Sequence, residues 1–134
     1  MIELTNLEMI EKAKAFLGPR KLSFDNTAGD VACALLSSKG NLYYGVCIDV
    51  SSGIGFCAEH SAIAAMITAG ESSIAKIVAV WGEGTVLPPC GRCREFMYQI
   101  DRSNFANTDV ILGENKVVKL KELLPHPYDE VWNT

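Results

Sequence analysis

The chain has 134 residues, 12 of them Lys or Arg against 16 Asp or Glu, for a formal net charge of −4. That length suits one domain spanning 1–134 around one core, and 49% apolar residues can fill it. The acidic balance and the lack of a basic run argue against a nucleic-acid polymer as partner, though not against a single nucleoside.

Met1-Ile2-Glu3-Leu4 starts on an acidic residue with no long apolar stretch behind it, so neither a signal peptide nor a membrane span is expected. Thr5-Asn6-Leu7-Glu8 is a capping box. Leu7, Ile10, Lys14 and Leu17 continue it as an amphipathic helix, widened by Met9, Ala13 and Phe16 and stopped by Gly18-Pro19. Asp30 to Leu36 and Leu42 to Val50, joined by Ser37-Ser38-Lys39-Gly40-Asn41, read as a hairpin. Ser51 to Phe56 is a loop, and the alanine-rich run from Cys57 to Ala69 is a mostly buried helix ended by Gly70. Ile74 to Trp81 fits a strand covered on both faces, with Trp81 in the core. Gly82 to Pro89 reads as a loop and Cys90 to Ile100 as a helix. Thr108 to Leu112 and Val117-Val118 are strands about a turn, and Lys119 to Leu124 is a last helical turn stopped by Pro125. A hairpin followed by strand-helix-strand alternation implies a mixed sheet with helices on its faces.

Two segments carry chemistry. Cys57-Ala58-Glu59 stands at one helix start and Pro89-Cys90-Gly91-Arg92-Cys93 at another. This is the order of the zinc deaminase signature, in which three ligands hold the metal and a glutamate two residues from the first moves protons. Thiolates form more readily at helix N-termini, and cysteines three apart share a helix face. Three protein ligands leave a fourth position for water, whereas structural zinc sites are closed by four. Cys33, Cys47, His60 and His126 are the candidates for such a fourth ligand, and a structural or redox site is the competing reading. Cys33 and Cys47 fit small core positions, and His60 fits a place beside the ligands. With a reduced, odd set of five cysteines, the expected location is cytoplasmic. One Zn²⁺ per chain is the expected cofactor. Three thiolates leave the site with excess negative charge, which Arg92, Arg94 or His60 would offset, Arg94 by its place after Cys93. Glu59 is the expected catalytic acid–base group.

The chain resembles the small homotetrameric branch of the cytidine deaminases. The resemblance runs from the N-terminal helix through Val31-Ala32-Cys33-Ala34-Leu35, Gly45-Val46, Cys57-Ala58-Glu59 and Pro89-Cys90-Gly91-Arg92-Cys93-Arg94 to Leu120-Lys121-Glu122-Leu123-Leu124-Pro125. Tyr128 and Val131-Trp132 look more like blasticidin-S deaminases. The resemblance implies an α/β fold, a three-layer α/β/α arrangement with a five-stranded mixed sheet. It also implies hydrolytic release of ammonia from a cytosine-type nucleoside, cytidine or deoxycytidine, and a homotetramer with shared active sites. A blasticidin-S-like nucleoside is the alternative substrate, and a non-catalytic zinc-stabilised module is a third reading. Metal ligation falls to Cys57, Cys90 and Cys93. Substrate contact falls to Asp49, Cys47 and Ala58, with Phe24 near the place of a pyrimidine-side aromatic. Arg94, His60 and Pro89 stand behind the ligands, and Tyr128 and Trp132 are candidates to cover a site. Cys47-Ile48-Asp49 replaces the family's usual Asn-x-Glu, which holds a ribose hydroxyl.

Overall fold

The computed structural model describes residues 3–132. Helix α1 (Asn6–Lys14) begins with the full capping box: Glu8 N–H donates to Thr5 Oγ1 at 3.1 Å and Thr5 N–H to Glu8 Oε1 at 3.0 Å. It ends a turn before the expected Leu17, and Leu7 and Phe16 are half exposed while Met9, Ile10 and Ala13 are buried. The apolar stripe is narrower than the composition suggested because α1 touches the sheet along one line only.

Strands β1 (Arg20–Lys21), β2 (Thr27–Ser37) and β3 (Leu42–Asp49) precede α2 (Ala58–Thr68). Then come β4 (Ile74–Trp81), β5 (Thr85–Leu87), α3 (Gly91–Ile100) and α4 (Asn104–Asn107). Strands β6 (Asp109–Gly113) and β7 (Lys116–Lys119), helix α5 (Leu120–Leu123) and a 3₁₀ turn at Glu130–Trp132 complete the chain. Among the described residues the sheet has seven strands rather than five. The five expected strands are all present. The additional two are β1, which pairs with the start of β2, and β5, which pairs with the end of β4 inside the segment read as a loop. Both are too short to show a two-residue hydrophobic period. Among the described strands only β4 and β6 run parallel, so the sheet is mixed.

Alternation along β2 and β4 divides the interior. Cys33, Leu35 and Ile77 turn to one face and meet Ala62, Ile63, Met66, Met97 and Leu120 from α2, α3 and α5. Ala32, Ala34, Leu36, Val78 and Val80 turn to the other and meet Met9, Ile10 and Ala13 of α1. The result is helix, sheet, helix. Trp81, expected inside, is 51% exposed, because the last residue of β4 extends past the covering helices.

Asn104 stitches the layers. Its side chain accepts from Ile74 N–H at 2.8 Å and donates to Met97 O at 2.8 Å and Ser72 O at 3.1 Å. Gly45 sets the spacing between β3 and α2: a Cβ there would lie 2.4 Å from Ala62 N and from Ser61 Cβ. The helix carrying Glu59 therefore rests directly on the strand backbone.

Candidate active site

Cys57 and Cys90 are the N-cap residues of α2 and α3, both in extended backbone conformation, and neither uses its side chain to cap. Their thiols turn to each other instead. Cys57 Sγ lies 3.4 Å from Cys90 Sγ, and Cys90 Sγ lies 3.5 Å from Cys93 Sγ. All three sulfurs fall within 4.8 Å of one another. Zinc–sulfur bonds of ~2.3 Å in a tetrahedron separate sulfurs by about 3.8 Å, so the spacing fits one zinc ion. Cys33, Cys47 and His126 do not join this group. Cys33 is core, and His126 pairs with Glu130 at 3.1 Å. Among the described residues, three sulfurs converge without a fourth protein ligand.

The thiol protons respond to this crowding. Burial, then the neighbouring Cys90 thiol, push Cys57 up to about 11. Burial, then the Glu59 carboxylate, push Cys93 up well beyond its ordinary range. Cys90 moves down: burial opposes this, but the Cys93 backbone N–H and the two other thiols donate to its sulfur. A bound cation would reverse the penalties on Cys57 and Cys93 by favouring the thiolates.

Glu59 follows in the first turn of α2 and is 5% exposed. Burial raises its carboxyl above the usual carboxylate range. A glutamate held in this way can exchange protons nearer neutral pH. His60 Nδ1 lies 3.3 Å from Cys93 Sγ, and its ring stacks on Phe96 at 4.3 Å, with 13° between planes. Burial, then the Arg92 guanidinium, lower its affinity for a proton.

The two arginines divide their work differently from the expectation set by chain order. Arg94 donates to Pro89 O at 2.7 Å and to Leu123 O at 3.1 Å, and so pins the loop that enters Cys90. Arg92 donates to Gly55 O at 3.3 Å and lines the cavity.

That cavity, about 430 Å³, is bounded by Cys57, Ala58, Glu59, Cys90 and Arg92 on the thiol side. Asp30, Cys47 and Asp49 also line it. Ala58, Cys47 and Asp49, expected at the substrate, therefore share one cavity with Glu59. Phe24 does not line it: it is 91% exposed, in a left-handed turn at φ 55°. Tyr128 and Trp132 stack edge to face on each other at 5.0 Å, are exposed, and do not line this cavity either. Asp30 was missed in the sequence. It is the only charged residue of β2, and that anomaly was its signal. A register shift between Ala28 and Ala32 surrounds Asp30, next to Gly29 at φ +89°. Glycine accepts that conformation without strain.

An α/β/α domain with two helix mouths converging on three thiols and a buried glutamate has the plan of a zinc-dependent deaminase domain. Residues 8–107 match the cytidine and deoxycytidylate deaminase zinc-binding region, and the chain belongs to that family. A cytidine deaminase of Halalkalibacterium halodurans is 32% identical over 100 residues, 71% of this chain and 74% of that one. A cytidine deaminase of Mycobacterium tuberculosis is 34% identical over 70 residues, 52% of this chain. The match spans about half the length, 53%, of that relative. The crystal structure of the M. tuberculosis cytidine deaminase superposes with a TM-score of 0.77 over 94% of this chain and 98% of that one. At 24% identity, that superposition speaks for the fold.

Proposed function

We propose that the protein is a zinc-dependent hydrolytic deaminase that converts a cytosine-type nucleoside, cytidine or deoxycytidine, to its uracil form with release of ammonia. The observation that carries this reading is the convergence of three thiols beside one cavity large enough for a nucleoside, which Cys57, Cys90 and the buried Glu59 line.

Cys57, Cys90 and Cys93 would hold one zinc ion, which when bound supplies Lewis acidity at its open position. Glu59 takes the proton of the attacking water and hands protons to the ring nitrogen and then to the departing amine. Ala58, flanked by Cys57 and Glu59 in the cavity wall, abuts the base. His60 Nδ1–H donates to the Cys93 thiolate and withdraws charge from it without adding a full cation. Arg94 and Pro89 keep Cys90 in place through the backbone. Family likeness supports a homotetramer, and the exposed Phe24, Tyr128 and Trp132 are suited to a neighbouring copy.

The test is ammonia release and the accompanying UV change on zinc-loaded protein, with cytidine, deoxycytidine, cytosine and blasticidin S as substrates. Turnover that disappears in Glu59→Gln while zinc stays bound is the expected result. Zinc retained without turnover of any of them would favour a non-catalytic module. Sedimentation velocity tests the tetramer.

A further inference from the structure

Trp81 ends β4 and is 51% exposed. A single exposed apolar side chain is ordinary on a protein surface. What distinguishes this one is where strand register puts it. Trp81 pairs with Val31 of β2 on one side and with Thr85 of β5 on the other. Residues directly opposite each other turn their side chains to the same face of a sheet, and that face recurs at every second residue. Trp81 therefore shares a face with Val31, with Ala79, and with Leu87, the β5 partner of Ala79. Val31, Ala79 and Leu87 all line the cavity that Glu59 lines. Val31 also packs on the core that α2 and α3 cover, which fixes the face as theirs. The indole thus stands one step outward from Ala79, about 7 Å along the strand, on the cavity's side of the sheet.

Its mounting is rigid. Strands pair with it on both sides, and Gly84 N–H donates to Trp81 O at 2.9 Å in the turn that follows. No helix covers the ring, yet its surface continues the apolar wall formed by Val31, Ala79 and Leu87. The ligand of the cavity is therefore the occupant placed to cover it. A flat ring laid on the indole face releases water from both surfaces and gains the stacking attraction.

Resting on the proposed deamination for the identity of the ligand, we propose that Trp81 contacts the substrate, its indole lying against the pyrimidine of the bound cytosine nucleoside at the cavity's mouth. An indole in this place has no proton to move in the reaction. It holds the ground state and the transition state alike, and so acts on binding.

Trp81 and Trp132 are the only tryptophans of the chain, so Trp132→Phe makes Trp81 the sole indole reporter. The experiment uses the zinc-loaded full chain carrying Trp132→Phe and Glu59→Gln, with cytidine and deoxycytidine as ligands. Acrylamide should quench Trp81 readily in the free protein. Saturating nucleoside should protect it, with the same midpoint as calorimetric binding. Trp81→Ala should weaken that binding by about tenfold. With Glu59 intact it should raise KM with kcat kept, and Trp81→Phe should recover most of the loss. An unchanged melting temperature confirms folding. Protection by nucleoside in a chain whose unmodified form releases no ammonia would refute deamination and leave the contact standing. An indole already shielded before ligand is added, as a neighbouring copy would shield it, overturns the inference. So does quenching that saturating nucleoside leaves unchanged, binding that Trp81→Ala does not weaken, or no binding of either nucleoside.

Discussion

Gly45→Ala tests whether the active site depends on the backbone contact between β3 and α2. The added Cβ would lie 2.4 Å from Ala62 N and Ser61 Cβ and 2.6 Å from Ala58 O. Two of these atoms are backbone atoms of α2 and cannot rotate away, so the helix has to move. Restoring ordinary contact requires a shift of roughly 1 Å, and overpacking of this kind costs about 1–3 kcal/mol. For a domain of this size, that cost lowers Tm by about 3–12 °C. The shift falls on the first turns of α2, which carry Cys57 and Glu59, while Cys90 and Cys93 ride on α3 and stay in place. A misplacement of about 1 Å at reacting groups can cost about 10²-fold in rate. Differential scanning fluorimetry, zinc content after dialysis against a weak chelator, and kcat/KM on the best substrate read the three consequences. Gly113→Ala is the control, because its nearest neighbour would be Lys116 Cβ at 3.9 Å and its Tm should be unchanged. If Gly45→Ala kept the parental Tm, zinc content and rate, this contact would not be what positions the helix that carries Cys57 and Glu59.

Glu59→Gln should lower kcat by about 10²–10⁴ with full zinc content, and loss of zinc instead would make Glu59 a structural support. Asn104→Ala should destabilise by about 2–5 kcal/mol in urea unfolding, since Ile74 N–H and Met97 O lose their side-chain partner in the interior. A change below ~0.5 kcal/mol would show that water replaces the amide. Zinc retention should fall as pH falls. The raised thiols of Cys57 and Cys93 bind protons more tightly than free cysteine, and each proton must leave before the sulfur can ligate. A chelator titration should therefore strip the metal more readily at about pH 6 than at about pH 8, and equal retention would contradict three thiolate ligands. Arg94→Ala should weaken zinc retention more than Arg92→Ala, because Arg94 fixes Pro89 ahead of Cys90. The reverse order in the same titration would show that charge beside the sulfurs outweighs backbone support.

Local patterns carried much of this molecule. The capping box before α1, the continuous apolar run of β4 and the Gly70 stop after α2 each act over a few residues, and each is where the pattern puts it. The metal group was legible for the same reason. Cys90 and Cys93 are neighbours on one helix, and Cys57 with Glu59 shares one helix start, so spacing along the chain already sets most of the geometry. Tertiary structure decided what depends on which segments meet. Arg92 rather than Arg94 faces the cavity, because the loop before Cys90 and the end of α5 capture Arg94. Trp81 lies beyond the covering helices, and β5 exists because it finds the free edge at the end of β4. Asp30 and Asp49 are 19 positions apart in the sequence and belong to different strands. Hairpin pairing and the irregularity beside Gly29 bring their carboxylates together, and no periodicity in either strand encodes that meeting. The thiols and Glu59 fall into two short motifs, each of which could be read along the chain. Asp30 and Asp49 are joined only by strand register, which is a property of the folded sheet.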